Sequence, residues 1–146
     1  MKIAIGSDHA GLNLKNDIIK YLEEKNIKVV DEGTYSLDSV DYPDFAVKVC
    51  HDYVSGIVDY GILVCYTGIG MSMAANKVKG IRAALVGIVE DAILTKEHNN
   101  ANVLCLSAKN TKTDLALEIV DAFLATEFTH GRHERRVQKV MEIENE

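Results

Sequence analysis

Cysteine is scarce and unpaired in this chain. Cys50, Cys65 and Cys105 form an odd set with no close spacing, which argues against a disulfide framework and fits a reducing cytoplasm. Positive charge is in deficit as well. The formal net charge is −6, whereas a nucleic-acid binder carries a basic face. Long hydrophobic runs are missing. The apolar opening from Met1 to Gly6 is broken by Ser7, Asp8 and His9, too soon for a signal peptide or a membrane span. Proline is limited to Pro43, and no repeat, low-complexity tract or linker interrupts the sequence. What remains is 146 residues, 47% of them hydrophobic, enough for one domain with a sizeable core.

Apolar runs alternate with helical patterns. Ile3–Ile5 reads as a buried strand, and Leu14, Ile18, Tyr21 and Leu22 then follow helical spacing. Ile27–Val30 is a second strand. Pro43 suits the first turn of a helix with Asp41 as its cap, and Ala46, Val47, Cys50 and Val54 supply the buried face. Gly61–Cys65 is a third strand, with a short helix from about Ile69. Ala83–Val86 and Val103–Leu106 are the fourth and fifth, with a helix through Ala92, Ile93 and Leu94 between them. Leu115, Ile119, Val120, Phe123 and Leu124 mark a long amphipathic helix, and Val137, Val140 and Met141 a last one, at about 132–143. This alternation predicts an α/β fold: three layers, a doubly wound, Rossmann-like five-stranded parallel sheet with helices on both faces. The flavodoxin-like order makes the first and third strands neighbours, with the ligand site beyond their carboxyl ends.

Two loops fall at that place. One is Gly6-Ser7-Asp8-His9-Ala10-Gly11. The other is Cys65-Tyr66-Thr67-Gly68-Ile69-Gly70, whose glycines let backbone N–H groups point at an anion as a helix opens. Tight packing alone also explains such a turn. It is no dinucleotide fingerprint, because it follows the third strand, and it lacks the P-loop lysine. Cys65 ends its strand beside the turn, where the positive end of a helix is expected to lower a thiol pKa from about 8.5 toward neutrality. Cys50 and Cys105, mid-helix and mid-strand, read as core residues. Asp8 and His9 suit acid–base work or anion binding, or else a helix cap and an exposed ring. His98, ahead of Asn99, Asn100, Ala101 and Asn102, reads by itself as a helix terminus. Arg132 and Arg136 are four apart on one helix face. Cations at a helix start oppose its dipole, a conflict that a bound phosphate relieves, although a solvated surface helix would also carry them. His130 and His133 could be read as a metal pair, but the neighbouring arginines would repel a cation.

Taken together, the chain resembles ribose 5-phosphate isomerase type B, of the family that also includes the galactose 6-phosphate and allose 6-phosphate isomerases. The resemblance rests on the two loops above, on Asp41-Tyr42-Pro43, Ala74-Ala75-Asn76-Lys77, His98-Asn99-Asn100-Ala101-Asn102 and Gly131-Arg132-His133, in family order nearly end to end. It implies a single sugar-phosphate isomerase domain over 1–146, a metal-free and cofactor-free reaction on a small phosphorylated sugar, and a homodimer or dimer of dimers with sites between subunits. Cys65 would carry a proton between C1 and C2, and Thr67 would move one between the two oxygens. Amides of Gly68, Ile69 and Gly70 would stabilise the enediolate. His98, helped by Asp8, would open the furanose ring, and Asn99 would hold the open chain. His9, Arg132 and Arg136 would grip the phosphate, with Tyr42 and Lys109 completing the substrate contacts.

Three departures from the family pattern bear on which sugar is preferred. Tyr66 stands where glycine is frequent. Lys109 stands where arginine is frequent, exchanging a bidentate phosphate contact for a point charge. The stretch 87–91 also differs. A non-catalytic sugar-phosphate or nucleotide binding module on the same fold would need neither Cys65 nor His98. A thiol redox protein would want a second cysteine within residues 61–70, which hold only Cys65.

Overall fold

The computed structural model describes residues 1–146. Five strands run parallel: β1 (Lys2–Ser7), β2 (Lys28–Asp31), β3 (Tyr60–Cys65), β4 (Ala83–Leu85) and β5 (Val103–Ser107). Between and after them come α1 (Leu12–Glu24), α2 (Tyr42–Val54), α3 (Ile69–Ala75), α4 (Val89–Asn99), α5 (Thr113–Ala125) and α6 (Arg132–Glu142). None of the helices is long and apolar enough to cross a membrane. Strand side chains divide with a period of two, because successive Cβ atoms point to opposite faces. Ile3, Ile5, Ile62, Val64, Leu104 and Leu106 join the core under α1 and α5, whereas Ala4, Leu63, Cys65, Val103 and Cys105 join the core under α2 and α3. Cys65 thus faces α2 and α3.

The sheet order is β2-β1-β3-β5-β4. The first and third strands are neighbours, as expected, but the last two are exchanged relative to the flavodoxin-like 2-1-3-4-5. Burial explains the exchange. All five residues of β5 are buried, so it lies inside the sheet, while β4 has three residues and ends on the exposed Leu85. A short, half-exposed strand is suited to an edge.

Two local expectations also change. In α2 the packed stripe is Ala46, Val49 and Cys50, while Val47 and Val54 face solvent. Spacing of three and four, not the full set of apolar residues, selects the buried face. Asp41 does hold the position before α2, with Pro43 in the first turn, yet its side chain makes no capping hydrogen bond.

Two lysines lie within the buried faces. Lys15 of α1 is fully buried and donates to Asp31 Oδ1 at 2.6 Å, tying α1 to the end of β2. Lys96 of α4 is buried with its Nζ 3.1 Å from the Phe123 carbonyl and 3.9 Å from the centre of the Tyr60 ring. A carbonyl and an aromatic face offset part of the cost of taking that ammonium out of water.

Candidate active site

The carboxyl ends of β1, β3 and β5 meet at one level, where Ser7 pairs with Val64 and Cys65 with Ser107. Asp8 leaves β1 nearly buried, and its Oδ1 accepts the Gly11 N–H at 3.0 Å, closing the turn into α1. His9 Nδ1 accepts the Val40 N–H at 3.2 Å. That bond places the imidazole proton of a neutral ring on Nε2, leaving one N–H donor for a ligand. Ser7 Oγ, at the end of β1, is buried without a partner.

Cys65 is 5% exposed. The two residues after it bring the chain to Gly68, in the left-handed region at φ +77°. An added Cβ there would sit 2.5 Å from Leu85 Cδ1 and 2.9 Å from the Leu106 carbonyl carbon, so only glycine fits. Gly68 O accepts the Ser72 N–H, and Thr67 Oγ1 accepts the Ile69 N–H at 3.3 Å. The N–H groups of Gly70 and Met71 therefore precede the helical ladder, as first-turn amides do. Tyr42, opening α2, lays its ring on Gly70 so closely that a Cβ would lie 2.6 Å from it. On the other side, Lys109 is tied in through its N–H to the Tyr66 carbonyl at 2.8 Å. Asp8, His9, Tyr42, Cys65, Thr67, Gly68, Ile69, Gly70 and Lys109 thus belong to one end of the sheet.

The remaining candidates gather elsewhere. His98 and Asn99 end α4, and Asn100 turns the chain at φ +48°. Thr129 bonds the Glu97 carbonyl through both its N–H (3.2 Å) and its hydroxyl (2.8 Å), which sets the start of α6 beside the end of α4. His98 and His133 then stack, ring centres 4.2 Å apart and 11° from parallel. Partial burial, the His98 ring and the Arg132 and Arg136 cations hold His133 below the usual imidazole range. A cavity of about 440 Å³ opens here, lined by His98, Asn99, His133 and Arg136 among others. Arg132 begins α6 one turn earlier and does not line it. His130 does not join His133, for its Nδ1 lies 3.4 Å from Glu134 Oε1.

This cavity also touches Ala83 and Ala101, at the amino ends of β4 and β5. The thiol lies at the carboxyl end. From Val103 to Ser107 the strand rises about 13 Å at roughly 3.3 Å per residue, so one chain does not bring Cys65 and His98 together. The other thiols are unsuited to proton transfer. Burial pushes Cys50 up to about 12, and it pushes Cys105 up as well, with the Cys50 and Cys65 thiols adding to the effect.

Three contributors have no site role in the sequence reading, although His133 and Asn76 fall within its motifs. His133 carries the stack on His98. Asn76 bonds both the N–H (2.8 Å) and the carbonyl (2.9 Å) of Ala83, joining the end of α3 to β4. Arg82 reaches the Asn100 carbonyl with Nε at 2.8 Å and lines the same cavity. For Arg82 no local signal separates this role from that of a solvated arginine.

A doubly wound α/β sheet with a buried thiol and open helix-start amides at its switch point has the layout of an enzyme site for a small anionic molecule. The chain belongs to the ribose/galactose isomerase family, whose sequence profile matches residues 3–140. It is similar to ribose-5-phosphate isomerase B of Escherichia coli, at 43% identity over 98% of this chain and 96% of that one. Among solved structures it resembles ribose-5-phosphate isomerase B of Clostridium thermocellum, with TM-score 0.98, 51% identity, and 99% and 98% of the two chains covered. The Mycoplasma genitalium ribose-5-phosphate isomerase B, solved with bound ribulose-5-phosphate, superposes with TM-score 0.94 at 47% identity, covering 99% and 97%.

Proposed function

We propose that this chain interconverts ribose 5-phosphate and ribulose 5-phosphate through an enediolate, in sites shared between two copies of the chain. The observation that carries the chemistry is Cys65, nearly buried at a strand end beside the first turn of α3, where the Gly70 and Met71 amides precede the helical ladder. The thiolate takes the proton from C2 of the open-chain aldose. The negative charge that develops on O1 is met by the amides of Gly68 and Gly70 and, once the Thr67 hydroxyl turns to the substrate, by that of Ile69, and the thiol returns the proton to C1. Thr67 passes the O2 proton to O1, which leaves a ketone at C2. Before this, His98 with Asp8 opens the furanose: the anomeric hydroxyl gives up its proton, the bond from C1 to the ring oxygen breaks, and that proton is passed to the ring oxygen. Asn99 and Tyr42 hold the open chain. The reaction uses fixed dipoles where other enzymes use a metal. The whole of residues 1–146 acts as one domain, and the three free cysteines suit a reducing cytoplasm.

Two observations favour a second copy. The thiol and the His98 set lie at opposite ends of β5, so a site that uses both draws them from two chains. Each chain also leaves apolar side chains in water: Ile69 and Met73 on α3, and Val140 of α6 with Ile143 just after it. α6 buries no residue of its own although its sequence is strongly two-sided. Full burial of such a side chain is worth about 1.5–3 kcal/mol.

The direct test is turnover of ribose 5-phosphate, allose 6-phosphate and galactose 6-phosphate by one preparation. Ribose 5-phosphate should be turned over fastest. Activity confined to a hexose phosphate would assign a different sugar, and binding with no turnover of any of them would mean a non-catalytic module.

Phosphate recognition gives a second expectation. Arg132→Ala and Arg136→Ala should each weaken binding of phosphorylated sugars by roughly 1.5–3 kcal/mol, the worth of a charge-assisted hydrogen bond. Affinity for the unphosphorylated sugars should hardly change. Equal losses for both ligand types, measured by calorimetry, would make these arginines structural.

A further inference from the structure

Tyr66 is the residue after the reacting thiol, and its ring takes no part in the core, being 55% exposed. Its main chain is nonetheless held firmly. The Tyr66 carbonyl accepts both the Lys109 N–H at 2.8 Å and the Ser107 hydroxyl at 2.9 Å. Ser107 Oγ in turn accepts the Asn110 N–H at 3.0 Å, and the Cys65 carbonyl accepts the Ala108 N–H at 3.0 Å. The ring therefore projects from a stitched base between β3 and the turn after β5. Above it lies the Lys109 ammonium, 5.7 Å from the ring centre, within the reach of a cation–π contact. A lysine ammonium is a point charge on a flexible stem, and the ring narrows where that charge can stand.

We propose that Tyr66 is a specificity-determining residue, a gauge of sugar length set between the proton-transferring thiol and the Lys109 cation. The inference rests on the sugar-phosphate isomerase reading above. A substrate with its reacting carbons at Cys65 and its phosphate toward Lys109 must run along the phenol. The ring occupies the room that one more carbon and its hydroxyl would need, so a five-carbon phosphate is accepted and a six-carbon one is crowded. Discrimination by a single added carbon in a pocket begins at about tenfold.

The test compares ribose 5-phosphate with allose 6-phosphate on the wild type, Tyr66→Gly and Tyr66→Phe, by calorimetric affinity and by kcat/KM. The wild type should favour the five-carbon ligand by about tenfold or more. Tyr66→Gly should remove most of that preference, chiefly by improving the six-carbon ligand, and Tyr66→Phe, which keeps the ring, should retain it. Tyr66→Ala serves for the same comparison if the glycine variant fails to fold. An unchanged preference in the glycine or alanine variant overturns the proposal, as does a loss as large in the phenylalanine variant, or a wild type that binds both ligands equally. The binding arm separates the two readings. If affinity shifts as expected while no sugar phosphate is turned over, the gauge stands and the isomerase reading fails. Turnover of ribose 5-phosphate without the shift does the reverse.

Discussion

Cys65→Ala is expected to abolish isomerisation while sugar-phosphate binding survives. The proton at C2 needs a base placed beside the carbon, and a positioned general base contributes roughly 10²–10⁴ to the rate. No other thiol can take over. Cys50 and Cys105 are both buried, and burial pushes Cys50 up to about 12. The groups assigned to the phosphate, His9, Lys109, Arg132 and Arg136, are untouched by the substitution, as are the amides of Gly68, Ile69 and Gly70. Affinity for ribose 5-phosphate should therefore stay within a few-fold while kcat collapses. The fold should tolerate the change, since replacing a small buried thiol by a methyl removes a single heavy atom from the packing under α2 and α3. Turnover and calorimetry on the same variant check both halves. Near-normal turnover would remove Cys65 from the mechanism, and lost binding would make it a packing residue.

Much of this architecture is legible in local pattern. The alternation of apolar runs and helical spacing places all five strands and the helices between them, because covered parallel strands read as unbroken apolar runs. Cys65 is legible as a strand end for the same reason. Strand order is less so. The contrast between Val103–Leu106 and the smaller Ala83–Ala84 start of β4 is the signal that puts β5 inside and β4 at the edge, and topology decided otherwise is a guess between two doubly wound orders. Lys15 and Lys96 break the apolar pattern of their helices. Their partners, Asp31 for one and the Phe123 carbonyl with the Tyr60 ring for the other, lie far along the chain, so periodicity could not foresee them.

The candidate site divides in a similar way. The strand-end loops announce themselves through glycine and the switch-point rule. His98 alone looks like an ordinary helix terminus, and only its neighbours in space, His133 and Arg136, give it a setting. The apolar stripe of α6 is plain in the sequence, yet one chain does not bury it. Periodicity identifies a face that wants covering without naming what covers it.

The second large effect follows from that division. If each site joins Cys65 of one copy to His98 of another, then Cys65→Ala and His98→Asn should complement each other. Each pure variant has both sites of its dimer damaged. In a mixed dimer one site collects both substitutions and the other collects neither, since a two-fold dimer holds two such composite sites. Unfolding and refolding the variants together in equal amounts should therefore leave about a quarter of all sites intact. The same variants mixed without subunit exchange serve as the control and should stay inactive with ribose 5-phosphate. Recovery of about a quarter of wild-type activity after refolding is the predicted result. Refolded mixtures verified as containing heterodimers, yet no more active than the pure variants, would contradict the shared site and return Cys65 and His98 to separate roles within one chain.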